Sequence, residues 1–183
     1  MTDKRYCIAN KAATVLGVAL AWFAFFELNT LVFSQFEHSA RAHWIFLPAA
    51  LRILSVLMFD GAGVMGLMIG AYLTLPHNQA GDLPYELMLS ASSGVGPLIA
   101  IWLCRQLFPI ARDLSGLRGK HIIALSIVGA ATNSLLVNGC MAVMGRWHND
   151  GEQLATIFVG DMLGTAILLT IIAGTLSWLL RRS

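Results

Sequence analysis

The sequence predicts an all-α, polytopic bundle of membrane-spanning helices, and three observations carry that prediction. Of its 183 residues, 57% are hydrophobic and only 12% are charged, where an ordinary soluble domain carries about 25% charged residues. Mean hydropathy is +0.70. Long uncharged runs recur along the whole chain, more apolar surface than a single soluble core hides. Soluble enzyme, nucleic-acid binder and secreted disulfide scaffold are all disfavoured. A net charge of +2 is too small to suggest a polyanionic partner. The three cysteines, Cys7, Cys104 and Cys140, are scattered with no C-x-x-C or other metal spacing. They read as packing residues, so no redox role, metal or cofactor is expected.

Six spans follow in order within a single integral membrane domain, residues 1–183. Span one is Ala12 to Phe33, after the basic positions Lys4, Arg5 and Lys11. Ala19-Leu20-Ala21 resembles a signal-peptidase site, but the apolar run continues unbroken to Phe33, so the span is read as an anchor. Span two is Trp44 to Phe59 and span three Gly61 to Leu75. Each is short, about 24 Å at 1.5 Å per residue, so they form either a tight hairpin turning at Asp60-Gly61 or one long bent element. Span four is Leu87 to Phe108, span five His121 to Met144 and span six Leu154 to Leu180.

Charge arbitrates between those two readings. With six spans, one side collects Lys4, Arg5, Lys11, Arg105, Arg112, Arg118, Lys120, Arg181 and Arg182, and the other only Arg41 and Arg146. That asymmetry puts both termini in the cytoplasm. Fusing spans two and three would move the Arg105 to Lys120 loop outside and spoil it. Trp44 and Trp147 then fall near the outer interface and Trp102 and Trp178 near the inner one, as aromatic belts do. No soluble domain follows span six, so the expected function lies inside the bilayer or in a partner. The expected location is the bacterial cytoplasmic (inner) membrane.

The informative residues inside the spans are ionisable. Glu27 lies in span one, Arg52 in span two and Asp161 in span six. A charge at the centre of a span costs about 2.5–3.5 kcal/mol on insertion scales, so it normally faces the bundle interior and finds a partner. Counting from the span ends puts all three roughly 10–12 Å below the outer surface. Asn138 in span five reaches the same level, with Asn133 about one and a half turns deeper. Glu27, Arg52, Asn138 and Asp161 are therefore the candidate ligand-binding residues, open to a small molecule from the outer side. Two readings stand: a ligand or proton site, or a structural ion pair that fixes helix register.

Small residues give the second signal. Ala13, Gly17 and Ala21 follow one another at four-residue spacing, as do Gly66 and Gly70. Such stripes let another helix approach closely, inside the bundle or in a separate membrane subunit. Pro97, within Ser92-Ser93-Gly94-Val95-Gly96-Pro97, removes a backbone bond and bends span four. His38, His43, His77 and His148 fall on the outer side but match no metal spacing, and no nucleophile–base pairing stands out. The chain does not read as an enzyme.

Three stretches resemble the bacterial membrane-associated sensor domain family of the first type, an integral-membrane input module of signalling proteins. They are Trp44-Ile45-Phe46-Leu47-Pro48-Ala49-Ala50, Gly66-Leu67-Met68-Ile69-Gly70-Ala71 and Gly160-Asp161-Met162-Leu163-Gly164, in that order. The likeness runs from about Ala12 to Leu180 and implies a sensor-like bundle in which Asp161, Gly160 and Gly164 matter. It departs from the family in span four, which reads Ser93-Gly94-Val95-Gly96, in Arg52, and in lacking an output domain. The implied function is a stand-alone module that binds a small ligand or membrane partner and signals in trans to a membrane or cytoplasmic protein. The chain's size and the Ala13-Gly17-Ala21 stripe also resemble the substrate-binding component of energy-coupling-factor transporters, which implies a transporter subunit as the alternative.

Overall fold

A computed structural model of the chain describes residues 2–33, 37–39, 42–75, 83–108, 119–147 and 151–180. They form α1 (Thr2–Phe33), a two-stranded antiparallel ribbon of β1 (Glu37–Ser39) and β2 (Ala42–His43), then α2 (Pro48–Leu73), α3 (Leu83–Leu107), α4 (Gly119–Val143) and α5 (Gly151–Leu180). All five helices are long and apolar enough to cross a membrane. The chain has the make-up of a multi-pass membrane protein. Around the bundle, Leu16, Leu31, Trp102, Leu135, Ile171 and Trp178 stand exposed, as lipid-facing side chains do.

The expected count of six helices is corrected to five. Most of spans two and three falls in α2, whose only non-helical residue is Asp60, at φ 48° and ψ −126°. The chain nevertheless doubles back there. The Trp22 indole N–H donates to the Thr74 hydroxyl over 3.0 Å, and the same ring lies 5.1 Å from the Arg52 guanidinium carbon. A straight helix would hold residues 52 and 74 about 33 Å apart. A Cβ added to Gly63 would collide with the Ser55 carbonyl, so the two arms touch just beyond the turn. At 12 and 13 residues, the arms 48–59 and 61–73 span only about 18–20 Å each. Both arms belong to the one 26-residue helix, which is why the count falls to five.

α1 is the surface on which both arms pack. Leu47 and Arg52 meet it at Asn29 and Trp22, in antiparallel order. Gly66 then lies against Val15 and Val18, and Gly70 against Ala19 and Trp22, in parallel order. A Cβ on Gly66 would come within 2.7 Å of the Val15 carbonyl oxygen, so only glycine admits this approach. The main apolar core runs from Val18 and Trp22 through Ile53, Leu57, Leu67, Ala100 and Leu125 to Leu169.

The helix expected to begin at Trp44 begins instead at Pro48. Proline fits the first helical turn, where its missing N–H leaves no gap. The five residues before it, His43 to Leu47, are non-helical and run between α1 and α5. The Phe46 N–H donates to the Gly160 carbonyl over 3.1 Å, and the Leu47 N–H to the Asn29 side-chain oxygen over 2.9 Å. The next two N–H groups, of Ala49 and Ala50, close back onto Phe46 and Leu47. Irregular backbone within an apolar bundle is tolerated when its polar groups are met by protein in this way. α3 runs through Pro97 without a break, and the Ser93 carbonyl lacks its usual helical donor there because proline has no N–H.

Arg41, His77, Asp82, Arg112, Arg118, His148, Asp150, Arg181 and Arg182 lie outside the described residues, as do the side chains of Lys4, Arg5, Cys7, Glu37 and His38. The charge asymmetry rests largely on these positions.

Candidate functional site

The site begins with two glycines in α5. A Cβ on Gly160 would collide with the His43 carbonyl, and one on Gly164 with the Phe46 carbonyl. Their bare backbone lets the His43–Leu47 segment lie directly on α5. That contact sets the first turn of α2 beside the residue between the glycines, Asp161, and Arg52 is one turn along from Pro48. The Arg52 guanidinium meets the Asp161 carboxylate over 2.9 Å, with both residues under 10% exposed. From α4, the Asn133 side-chain amide donates to the same carboxylate oxygen. That fixes the orientation of Asn133, because only its nitrogen can donate to a carboxylate.

Burying such a pair costs desolvation of both ions, and the pair is tolerable when geometry is good and further hydrogen bonds serve the charges. Asn133 supplies one such bond. Aromatic rings supply more: the Arg52 guanidinium carbon is 5.1 Å from the centroids of both Trp22 and Phe46, within cation–π range. Trp22 and Phe46 meet edge to face at 6.1 Å, and His43 stacks on Phe46 at 5.3 Å. Trp22 is 2% exposed, so an indole, an asparagine and two glycines hold one ion pair in place.

The pair lines a cavity of about 110 Å³. Trp22, Phe26 and Phe46 wall one part, Ser90, Ser93 and Asn133 another, and Thr74 closes the edge at the end of α2. A second, water-sized void of about 10 Å³ borders Arg52, Asn133 and Asp161 beside Pro97, Gly129 and Thr165. The ion pair thus separates a ligand-sized space from a one-water space.

Of the four candidate ligand residues, the structure brings together two, Arg52 and Asp161. Glu27 is exposed on α1 and lies on the face turned away from the cavity. Asn138 is buried, but its amide donates to the Ser134 carbonyl of its own helix and it does not line the cavity. Trp22, Phe46, Thr74 and Ser93 were not picked out from the sequence. Trp22 and Asn29 share the α1 face opposite Glu27, seven residues apart, and a polar residue on the face of a buried tryptophan was the signal available.

The packing candidates divide too. Gly66, Gly70, Gly160 and Gly164 all meet other elements closely. Ala13 and Gly17 are exposed, Ala21 is half-buried, and a Cβ on Gly17 would meet nothing within 4 Å. Among the described residues, no group of three His, Cys, Asp or Glu side chains is placed to hold a metal ion. Cys104 is buried in the apolar core, remote from the cavity.

Fold and site together define a multi-pass helical bundle with a buried ion pair on the wall of an aromatic and hydroxyl-lined cavity. No protein family, curated protein or solved structure matches the chain.

Proposed function

We propose that this protein is a ligand-binding module of the bacterial inner membrane that works through a partner protein. One observation carries the reading: an ion pair drawn from two helices, fixed by a third, stands on the wall of a cavity large enough for a small molecule. Charges inside a membrane bundle are functional by default. A ligand touching Arg52 or Asp161 acts at once on α2, α4 and α5, so its occupancy shifts how these helices pack. The resemblance of Gly160-Asp161-x-x-Gly164 and of the Trp44–Pro48 stretch to membrane-associated sensor domains supports signalling in trans as the use made of that shift.

The reversal at Asp60 supports a matching topology. Because α2 leaves and returns on one side, α3 starts on the side where α1 ends, and both chain ends fall in the cytoplasm beside the α3–α4 loop. Reporter fusions at Ser183 and within residues 111–116 should then report the same side. Opposite sides would overturn this arrangement.

A second reading has its own observation. The Ala13-Gly17-Ala21 stripe on α1, exposed at Ala13 and Gly17, is where the substrate-binding component of an energy-coupling-factor transporter would meet its scaffold. Mild-detergent purification of the tagged protein from its native host separates the two. Co-purifying kinase, cyclase or phosphodiesterase supports the sensor, with output lost in Asp161→Asn. Co-purifying ATPases with a membrane scaffold support the transporter subunit, with assembly lost in Gly17→Leu.

A further inference from the structure

We infer that the outward face of α1 seats a membrane-spanning helix of another protein, one that carries a lysine or arginine opposite Glu27. This rests on the reading that the module works through a partner, and it names where that partner sits and what its contact offers.

The first argument is the spacing of what α1 leaves uncovered. Ala13, Gly17, Leu20, Ala24, Glu27 and Leu31 are all exposed, and they follow one another at steps of four, three, four, three and four residues. That alternation is the seam of a coiled pair, along which a second helix packs at a slight crossing angle. Small residues at Ala13, Gly17 and Ala24 let a second backbone come close, and Gly17 has open space where a Cβ would be. The other face of α1 is already used, with Val18 and Trp22 buried against Gly66 and Gly70 of α2.

The second argument is Glu27 itself. The apolar stretch of α1, Ala9–Phe33, is centred on Ala21. That puts Glu27 about 9 Å from the midplane and about 6 Å inside a hydrocarbon layer of about 30 Å. Helical side chains lean toward the N-terminus, here away from the nearer surface, so the carboxylate does not reach water by the shortest path. Among the described residues no hydrogen bond or ion pair meets it. Arg52 is already engaged by Asp161 in the bundle interior. Acids within spanning helices are costly and pair with other charged groups. The matching chemistry is a cation brought from outside the chain to the level of Glu27.

That requirement separates the possible occupants. A second copy docked by the same seam sets each position against itself in a symmetric pair. Glu27 would then face Glu27, two like charges at one site. Hydrocarbon tails offer no cation at this depth. A basic residue on a different helix does, while the small residues along the seam admit that helix's backbone.

A photocrosslinking amino acid placed at Leu20 or at Leu31 of the full chain, in its native host, reads this contact. The same label at Leu135 on α4, also exposed, is the lipid-facing control, and the crosslinked peptide is sequenced by mass spectrometry. Both seam positions are expected to capture one membrane-spanning segment of another protein, with a lysine or arginine within a turn of the level of Glu27. Glu27→Gln should lower the yield about tenfold, the worth of one charge-assisted hydrogen bond. Exchanging the charges, Glu27→Lys with glutamate in place of the partner's basic residue, should restore it. Capture of this chain's own α1, capture of a segment with no basic residue, no protein captured above the Leu135 control, or an undiminished yield in Glu27→Gln overturns the proposal. The wider reading fails separately, when purification recovers no partner at all. A partner that purifies with the chain but is not captured at the seam sinks only this docking face.

Discussion

Two small-residue stripes in this chain look alike in sequence and end up in opposite surroundings. On α5, Gly160 and Gly164 lie so close to the His43–Leu47 backbone that no side chain fits. On α1, Ala13 and Gly17 face outward, and Gly17 has empty space where a Cβ would be. The acids beside them divide the same way. Asp161 follows Gly160 into the interior and finds Arg52 and Asn133, whereas Glu27 lies exposed on the outward side of α1. Four-residue spacing says that residues share a face. It does not say which way the face turns.

The largest test of that contrast is a bulky residue in each stripe. Gly164→Leu drives a side chain into the Phe46 carbonyl and should cost at least about 4 kcal/mol or prevent folding. Gly17→Leu should leave thermal stability in mild detergent unchanged. Equal damage in both would mean that α1 is covered as closely as α5.

The acids come next. Asp161→Ala strands the Arg52 charge and should cost about 3–5 kcal/mol, read by denaturant titration in mixed micelles. Glu27→Ala should stay within about 0.5 kcal/mol. A comparable loss at Glu27 would place it in a contact of its own.

Smaller effects sharpen the account of how the interior face is built. Asp60→Val puts a β-branched side chain at positive φ, at a cost of about 1–2 kcal/mol. Asn29→Leu removes the acceptor for the Leu47 N–H and should cost about 1–3 kcal/mol. A neutral Asn29→Leu would mean that the entry to α2 is held by Gly160 alone.

These contrasts also mark where the sequence was legible. Composition and the apolar runs pointed to a helical membrane bundle, and most span boundaries lie within a few residues of the helix ends. The largest departure is the start of α1, at Thr2 where Ala12 was expected, and the start of α2 also differs, where Trp44 looked helical by hydropathy. Its apolar neighbours belong instead to a non-helical segment whose hydrogen bonds go to Gly160 and Asn29. Hydropathy does not register hydrogen-bond partners that distant. The turn at Asp60 was visible as one of two alternatives, since a charge beside a glycine suits either a hairpin or a bend. The site was half legible. Depth counting brought Arg52 and Asp161 to one level, but the same arithmetic included Glu27 and Asn138. It measures height along the bundle and ignores rotation about the helix axis. Trp22 escaped notice because an apolar tryptophan in an apolar span carries no signal until its neighbours are known.

The non-helical segment ahead of Pro48 bears on how the chain is made. Its Phe46 N–H has its acceptor on α5, and Arg52 waits for a partner 109 residues further along. At about 5–20 residues per second, synthesis leaves that charge and that backbone unmatched for something like five to twenty seconds. The first half of the chain therefore cannot settle while it is being inserted. It must remain near the insertion machinery, or in water at the bilayer edge, until the last helix arrives. Loss of α5 would then do more than remove a helix: it would leave α2 as a segment that the quality-control proteases of the membrane read as unfinished.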